Sequence, residues 1–214
     1  MKQIQFLTLV MLSAMLWSCG VHRQTALGKM SSENALTERQ RSDCDSAKSL
    51  SHPSQKYFYH EQTLNYPGSG ISYKVVYSNH HVCIHPHGLS VVNDSISNEL
   101  NGYKVNHVEI GDLNIDGYPE VYVFLRSTKP ERCGALIAYS PNKGKSLSQI
   151  YLPKIEDDEK LAQEYAGHDE MEIMENSLCR RFPIKGTNKM RQVQYHLEAG
   201  ESGWILKPYK IIEY

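Results

Sequence analysis

Two stretches of the chain collect side chains able to do chemistry. Asp112, Asn114, Asp116 and Glu120 fall within the string Asp112-Leu113-Asn114-Ile115-Asp116-Gly117-Tyr118-Pro119-Glu120. Oxygen-bearing side chains at every second position, with a glycine for the sharp turn, can converge on one calcium ion. Calcium asks for about 6 to 8 oxygens, whereas this string offers at most four side chains. The twelfth position is Val123 rather than the bidentate glutamate of an EF-hand. The simpler reading is preferred, in which Asp and Asn side chains close a turn on their own backbone. The second stretch is His80-His81-Val82-Cys83-Ile84-His85-Pro86-His87, which places His81, Cys83, His85 and His87 on one side of an extended chain. Imidazole and thiolate suit zinc or copper. Same-face neighbours on a strand stand about 7 Å apart, however, and zinc holds its ligands at about 2.0 to 2.3 Å. An exposed polar face, or a cysteine committed to a disulfide, is therefore preferred, and no metal or other cofactor is expected.

Enzyme motifs fail in turn. Gly144-Lys145-Ser146 looks like the end of a phosphate loop, but its leading glycine position is Tyr139, so no cradle forms. Neither Gly-x-Ser-x-Gly nor His-Glu-x-x-His occurs. Asp157, Asp158 and Glu159 are adjacent and do not face one site on a helix. The expectation is a protein that binds rather than one that turns over a substrate. Nucleic acid is not the partner expected, because 23 Lys and Arg against 24 Asp and Glu leave a net charge of -1 and no basic stripe.

The elements that must position these residues begin after a processing segment. Residues 4–17 are free of charge and follow Lys2, but the run is too short for the about 20 apolar residues of a spanning helix. Its end, Leu16-Trp17-Ser18-Cys19, resembles the lipobox of bacterial lipoproteins, with a tryptophan where that pattern usually has a smaller residue. That resemblance implies a signal peptide over 1–18, cleavage before Cys19, and lipidation of Cys19, palmitate included. The chain is then expected to be exported and held to the cell envelope, with the outer membrane the expected address. Each buried lipid methylene contributes about 0.8 kcal/mol, so two or more chains anchor stably. Residues 19–52 are rich in Ser, Arg, Gln, Glu and Asn and read as a tether. Cys44, Cys83, Cys133 and Cys179 remain for disulfides or for free buried thiols, and four cysteines allow three pairings.

From residue 53 onward the chain reads as one β domain. Runs rich in Val, Ile, Tyr and Phe, separated by Gly, Asn, Asp and Pro, predict strands over 57–65, 71–78, 81–85, 103–110, 120–126, 134–139, 148–152, 172–181, 191–197 and 204–212. In the ninth of these, Val193, Tyr195 and Leu197 alternate with Gln192, Gln194 and His196, as in an antiparallel sheet with one dry face. One short helix is expected over 157–165. The predicted class is all-β, an antiparallel sandwich or small barrel with one short helix.

Several strings in order resemble the periplasmic inhibitors of invertebrate-type lysozyme: Val108 through Phe124 with its Asp-rich hairpin, Arg126-Ser127, and Gly134-Ala135-Leu136-Ile137-Ala138-Tyr139-Ser140. Gly167-His168-Asp169-Glu170, Glu175-Asn176-Ser177-Leu178, Arg180-Arg181-Phe182-Pro183-Ile184, Arg191-Gln192-Val193-Gln194-Tyr195 and Glu201-Ser202-Gly203-Trp204 look like the lipid-anchored form of that family. The resemblance spans roughly residues 57–214. It implies a sandwich-like domain, often paired as a homodimer, that blocks lysozyme by inserting a loop into its active-site cleft. The corresponding loop here is Ser127, Thr128, Lys129, Pro130, Glu131, Arg132, Cys133 and Gly134, and it lacks the family's tyrosine. The family's contacts therefore carry over only at Ser127. A second loop over 184–190 is shorter than the family's. Lysozymes work with two carboxylates in a cleft, so Lys129 or Arg132 can supply a charged plug; a solvated turn is the plainer alternative. A surface binding module with another protein or glycan target is the competing expectation.

Overall fold

The computed structural model describes residues 59–201 and 203–214. The expected signal segment, the lipidation site at Cys19, the tether and Cys44 lie outside the described residues. Strands β1 (His60–Asn65), β2 (Ser72–Tyr77), β3 (His81–His87) and β4 (Ile96–Glu99) pair in chain order as one antiparallel sheet. The β1–β2 hairpin turns through Gly68 at φ 80°, a conformation that only glycine adopts without strain.

The remaining strands are β5 (Tyr103–Gly111), β6 (Glu120–Ser127), β7 (Gly134–Pro141), β8 (Leu147–Tyr151), β9 (Glu170–Met174), β10 (Ser177–Pro183), β11 (Met190–Ala199) and β12 (Trp204–Glu213). Their order in the second sheet is β5-β6-β7-β8-β12-β11-β10-β9. All pairs are antiparallel except β8 with β12, which run parallel over Ile150 and Tyr151 against Trp204 and Ile205. The two ends of this sheet approach each other: the Ile173 amide of β9 donates to Glu109 Oε2 of β5 at 3.0 Å. A Cβ on Gly111 would lie 3.3 Å from Ile173 Cδ1. The sheet is thus nearly closed and barrel-like, although its end strands β5 and β9 form no ladder with each other.

Strand β6 holds the two halves together. Its side chains alternate, so Val121, Val123 and Leu125 enter one core with Tyr73, Val75, Val82 and Ile84 of the small sheet. Tyr122 and Phe124 enter the barrel interior with Leu178, Phe182, Val193, Tyr195 and Leu206. A strand covered on both faces reads as a continuous apolar run, and Glu120 to Leu125 are all buried. The Tyr73 hydroxyl adds a directional tie, donating to the Pro119 carbonyl at 2.8 Å.

Three local expectations change. The single strand predicted over 172–181 is two, β9 and β10, folded back through Glu175 at φ 52°. Strand β4 was not predicted, because Ile96-Ser97-Asn98-Glu99 carries one apolar residue and is held by pairing with β3. The helix is one turn, α1 (Glu159–Ala162), after a 3-10 turn at Ile155–Asp157. Asp158 caps it, accepting from the amides of Lys160 at 2.9 Å and Leu161 at 3.2 Å. Burial of Ile155 and Leu161 in the barrel core anchors this crossing segment more than helix propensity does. Cys83 is disulfide-bonded, whereas Cys133 and Cys179 are free thiols.

Candidate functional site

The loop between β6 and β7 contains every residue that the sequence singles out for target contact. Thr128, Lys129, Pro130, Glu131 and Arg132 are exposed, and Ser127, Cys133 and Gly134 are half-buried at its foot. The Ser127 amide donates to the Cys133 carbonyl at 2.8 Å and closes the loop. The amide and hydroxyl of Thr128 both donate to the Gly102 carbonyl at 2.9 Å, fastening the outgoing arm to the β4–β5 turn. Within the tip, the Lys129 amide donates to Ser127 Oγ at 3.1 Å and the Arg132 amide to the Lys129 carbonyl at 3.0 Å. Arg132 sits at φ 49°, in the left-handed region.

The segment Gly167-His168-Asp169 braces the loop from below. The His168 amide donates to the Glu131 carbonyl at 2.7 Å, and the Gly134 amide donates to Asp169 Oδ2 at 2.7 Å. Gly167 allows this approach: it lies at φ 81°, and a Cβ there would stand 2.1 Å from the Glu131 oxygen. Gly167→Ala is accordingly expected to cost about 2 kcal/mol or more, combining an unfavourable φ with a collision against backbone. Urea denaturation checks it, and a loss under about 0.5 kcal/mol would mean that the brace gives way freely.

Asp169 is itself held in the barrel. Its side chain has 0% exposure and receives Arg180 Nε at 2.6 Å. Tyr165 donates its hydroxyl to Oδ2 at 2.6 Å. Arg180 Nη2 reaches the Tyr165 oxygen at 3.0 Å and the Gly134 carbonyl at 3.4 Å. Burial works against the Arg180 charge, but the Asp169 hydrogen bond and negative charge outweigh it and hold the guanidinium above its ordinary range. Burial pushes the Tyr165 hydroxyl up, Arg180 opposes, and the bond to Asp169 raises it further. Arg180 and Tyr165 received no role from the sequence. The only signal was an arginine at the inward-facing parity of β10, between Leu178 and Phe182.

The second loop, residues 184–189, is a tight turn in which Ile184 donates to the Lys189 carbonyl at 3.0 Å. The Lys185 amide donates to the Glu164 carbonyl at 2.9 Å. Both loops therefore rest on the same segment, 164–169, at one end of the barrel.

The Asp-rich hairpin lies at the opposite end of β6, about 23 Å away by strand rise. Asp112 accepts from the amides of Asp116 at 3.0 Å and Gly117 at 2.9 Å, and Asp116 accepts from the Tyr118 amide at 2.9 Å. The side chains close the turn on its own backbone. Asp112, Asp116 and Glu120 bring carboxylate oxygens within 4.8 Å of one another, the one group of this kind among the described residues. Glu120 is fully buried, accepting from the Leu113 amide at 2.8 Å, the Tyr122 hydroxyl at 3.2 Å and the Ser140 hydroxyl at 3.3 Å. Burial first, then the charges of Asp112 and Asp116, push its carboxyl up to about 8.

A raised carboxyl ties stability to pH. Above the ordinary carboxylate value of about 4.3 the unfolded chain has released a proton that folded Glu120 keeps until about 8. Its stabilisation is complete below pH 4 and is lost as pH rises through 8. The expected result is a lower Tm at pH 8 than at pH 5, with Glu120→Gln flattening the difference, since its amide oxygen can accept from Leu113 and Tyr122 and its amide nitrogen can donate to the Ser140 hydroxyl oxygen. An equal slope in both proteins would place the pH sensitivity elsewhere.

Among the described residues, the histidine strand does not bring three ligand atoms within 4.8 Å of one another. Cys83 is committed to a disulfide, and His85 Nδ1 is 2.6 Å from Ser95 Oγ. Among known proteins, no family model matches the chain, and no curated protein or solved structure matches it.

Proposed function

We propose that this protein is an envelope lipoprotein, anchored through Cys19, that inhibits an invertebrate-type lysozyme by inserting loop 127–134 into the active-site cleft. The supporting observation is an exposed tip, Thr128 to Arg132, on a foot fixed from three sides by Gly102, His168 and Asp169. A loop already ordered before binding gives up little further conformational entropy. Among the described residues, no carboxylate lies within ion-pair distance of Lys129 or Arg132. Two free cations suit a cleft that works with two carboxylates. They take over the contact that an aromatic side chain makes in the family the loop resembles.

The missing tyrosine favours one competing reading, a binding module on the same fold with another protein or glycan target. A pull-down with immobilised full chain against lysozymes of invertebrate, goose and chicken types separates the two. The inhibitor reading expects retention of the invertebrate type, weakened by salt as exposed charge contacts are. Retention of none would favour the alternative.

A further inference from the structure

The foot of the same loop borders a groove of about 550 Å³ whose lining includes four basic residues: Lys104 from β5, Arg126 from β6, and Lys129 and Arg132 from the loop. No carboxylate lines it. Among the described residues, none of the four is within 4.0 Å of an acidic oxygen. Two further features set this apart from ordinary surface charge. Lys104 and Arg126 are direct cross-strand partners, and like charges facing each other on neighbouring strands repel. Arg126 is also half-buried, so it gives up hydration without the ion pair that normally offsets the loss. A sheet that keeps both cations there maintains an arrangement that an anion would relieve.

We propose that this groove is a binding site for a diphosphate-type anion. Four basic residues around a groove of about 550 Å³ suit a compact, multiply charged ligand. A phosphate brings up to about two negative charges and three acceptor oxygens, so one diphosphate group neutralises most of the groove. Carboxylates, with one charge each, would need four groups in the same space. Guanidinium forks suit phosphate oxygens bidentately, and Arg126 and Arg132 supply two. Ser127 Oγ accepts from the Lys129 amide, leaving its hydroxyl proton for a phosphate oxygen. The register shift between Val105 and His107 on β5 falls beside Lys104, and such irregularities are places where side chains are re-aimed.

Isothermal titration of the full chain with inorganic diphosphate, without any lysozyme, tests the proposal independently of the inhibitor reading. Saturable binding is expected, at least tenfold tighter than for inorganic phosphate and weakening with added salt. Lys104→Gln with Arg126→Gln is expected to weaken it at least tenfold while leaving Tm unchanged or higher, since the like-charge pair is relieved. Vesicles of phosphatidylcholine with and without a polyprenyl diphosphate distinguish the sources. Extra binding to the acidic vesicles that the double variant loses assigns the ligand to a lipid headgroup, and diphosphate binding without it assigns a soluble ligand. Absence of saturable diphosphate binding, or equal affinity in the folded double variant, overturns the proposal. Variant-sensitive binding of polyglutamate with none of diphosphate also overturns it, in favour of an acidic protein surface.

Discussion

Asp169→Ala lowers the stability of the β domain by about 3–5 kcal/mol, the usual cost of leaving one member of a buried ion pair uncompensated. Arg180 is 4% exposed and Asp169 3%, so water cannot replace the lost carboxylate. The same change strands the Gly134 amide and the Tyr165 hydroxyl, which both donate to Oδ2. Asp169→Ala with Arg180→Met is expected to cost less than Asp169→Ala alone, because the isolated guanidinium is the larger penalty. Urea unfolding of the three proteins checks the order. A loss below about 1 kcal/mol in the single variant would show that the network adds little, and with it the rigidity ascribed to the loop. Amide exchange at Gly134 gives a local readout, expected to quicken even under fully folded conditions.

Lys129→Glu with Arg132→Glu should weaken lysozyme inhibition by about 100-fold or more, since two carboxylates then replace the cations and repel a cleft with paired carboxylates. Stability should stay within about 0.5 kcal/mol of the parent, because both side chains are exposed and their charges are unpaired. The pairing of these results matters: Asp169→Ala disturbs fold and binding together, whereas the charge reversal disturbs binding alone. Inhibition that survives the reversal would remove charge from the account of the loop.

Much of the fold was legible because strand periodicity and turn residues are local signals. The alternation at Val193, Tyr195 and Leu197 marks an inward face, and all three are buried in the barrel. The Asx-type reading of Asp112 to Gly117 was legible for the same reason, as its bonds span only a few residues. Pairing with a distant strand was not legible: β4 exists through its ladder to β3. Nor was the turn at Glu175, a residue that rarely takes positive φ. At the loop, the sequence located the residues but not what fixes them. Tyr165 and Asp169, from the segment 164–169, meet Arg180 of β10 at Gly134 only in the folded barrel. Lys104 joins Lys129 and Arg132 through the β5–β6 register, which no spacing along the chain reveals.

The central claim is that loop 127–134 stops a lysozyme from working. Cell-wall lysis by an invertebrate-type lysozyme, followed with the purified full chain at micromolar excess, tests it most directly. The account predicts loss of lysis by the parent protein and its return with Lys129→Glu plus Arg132→Glu. Undiminished lysis in the presence of the folded parent protein would contradict it.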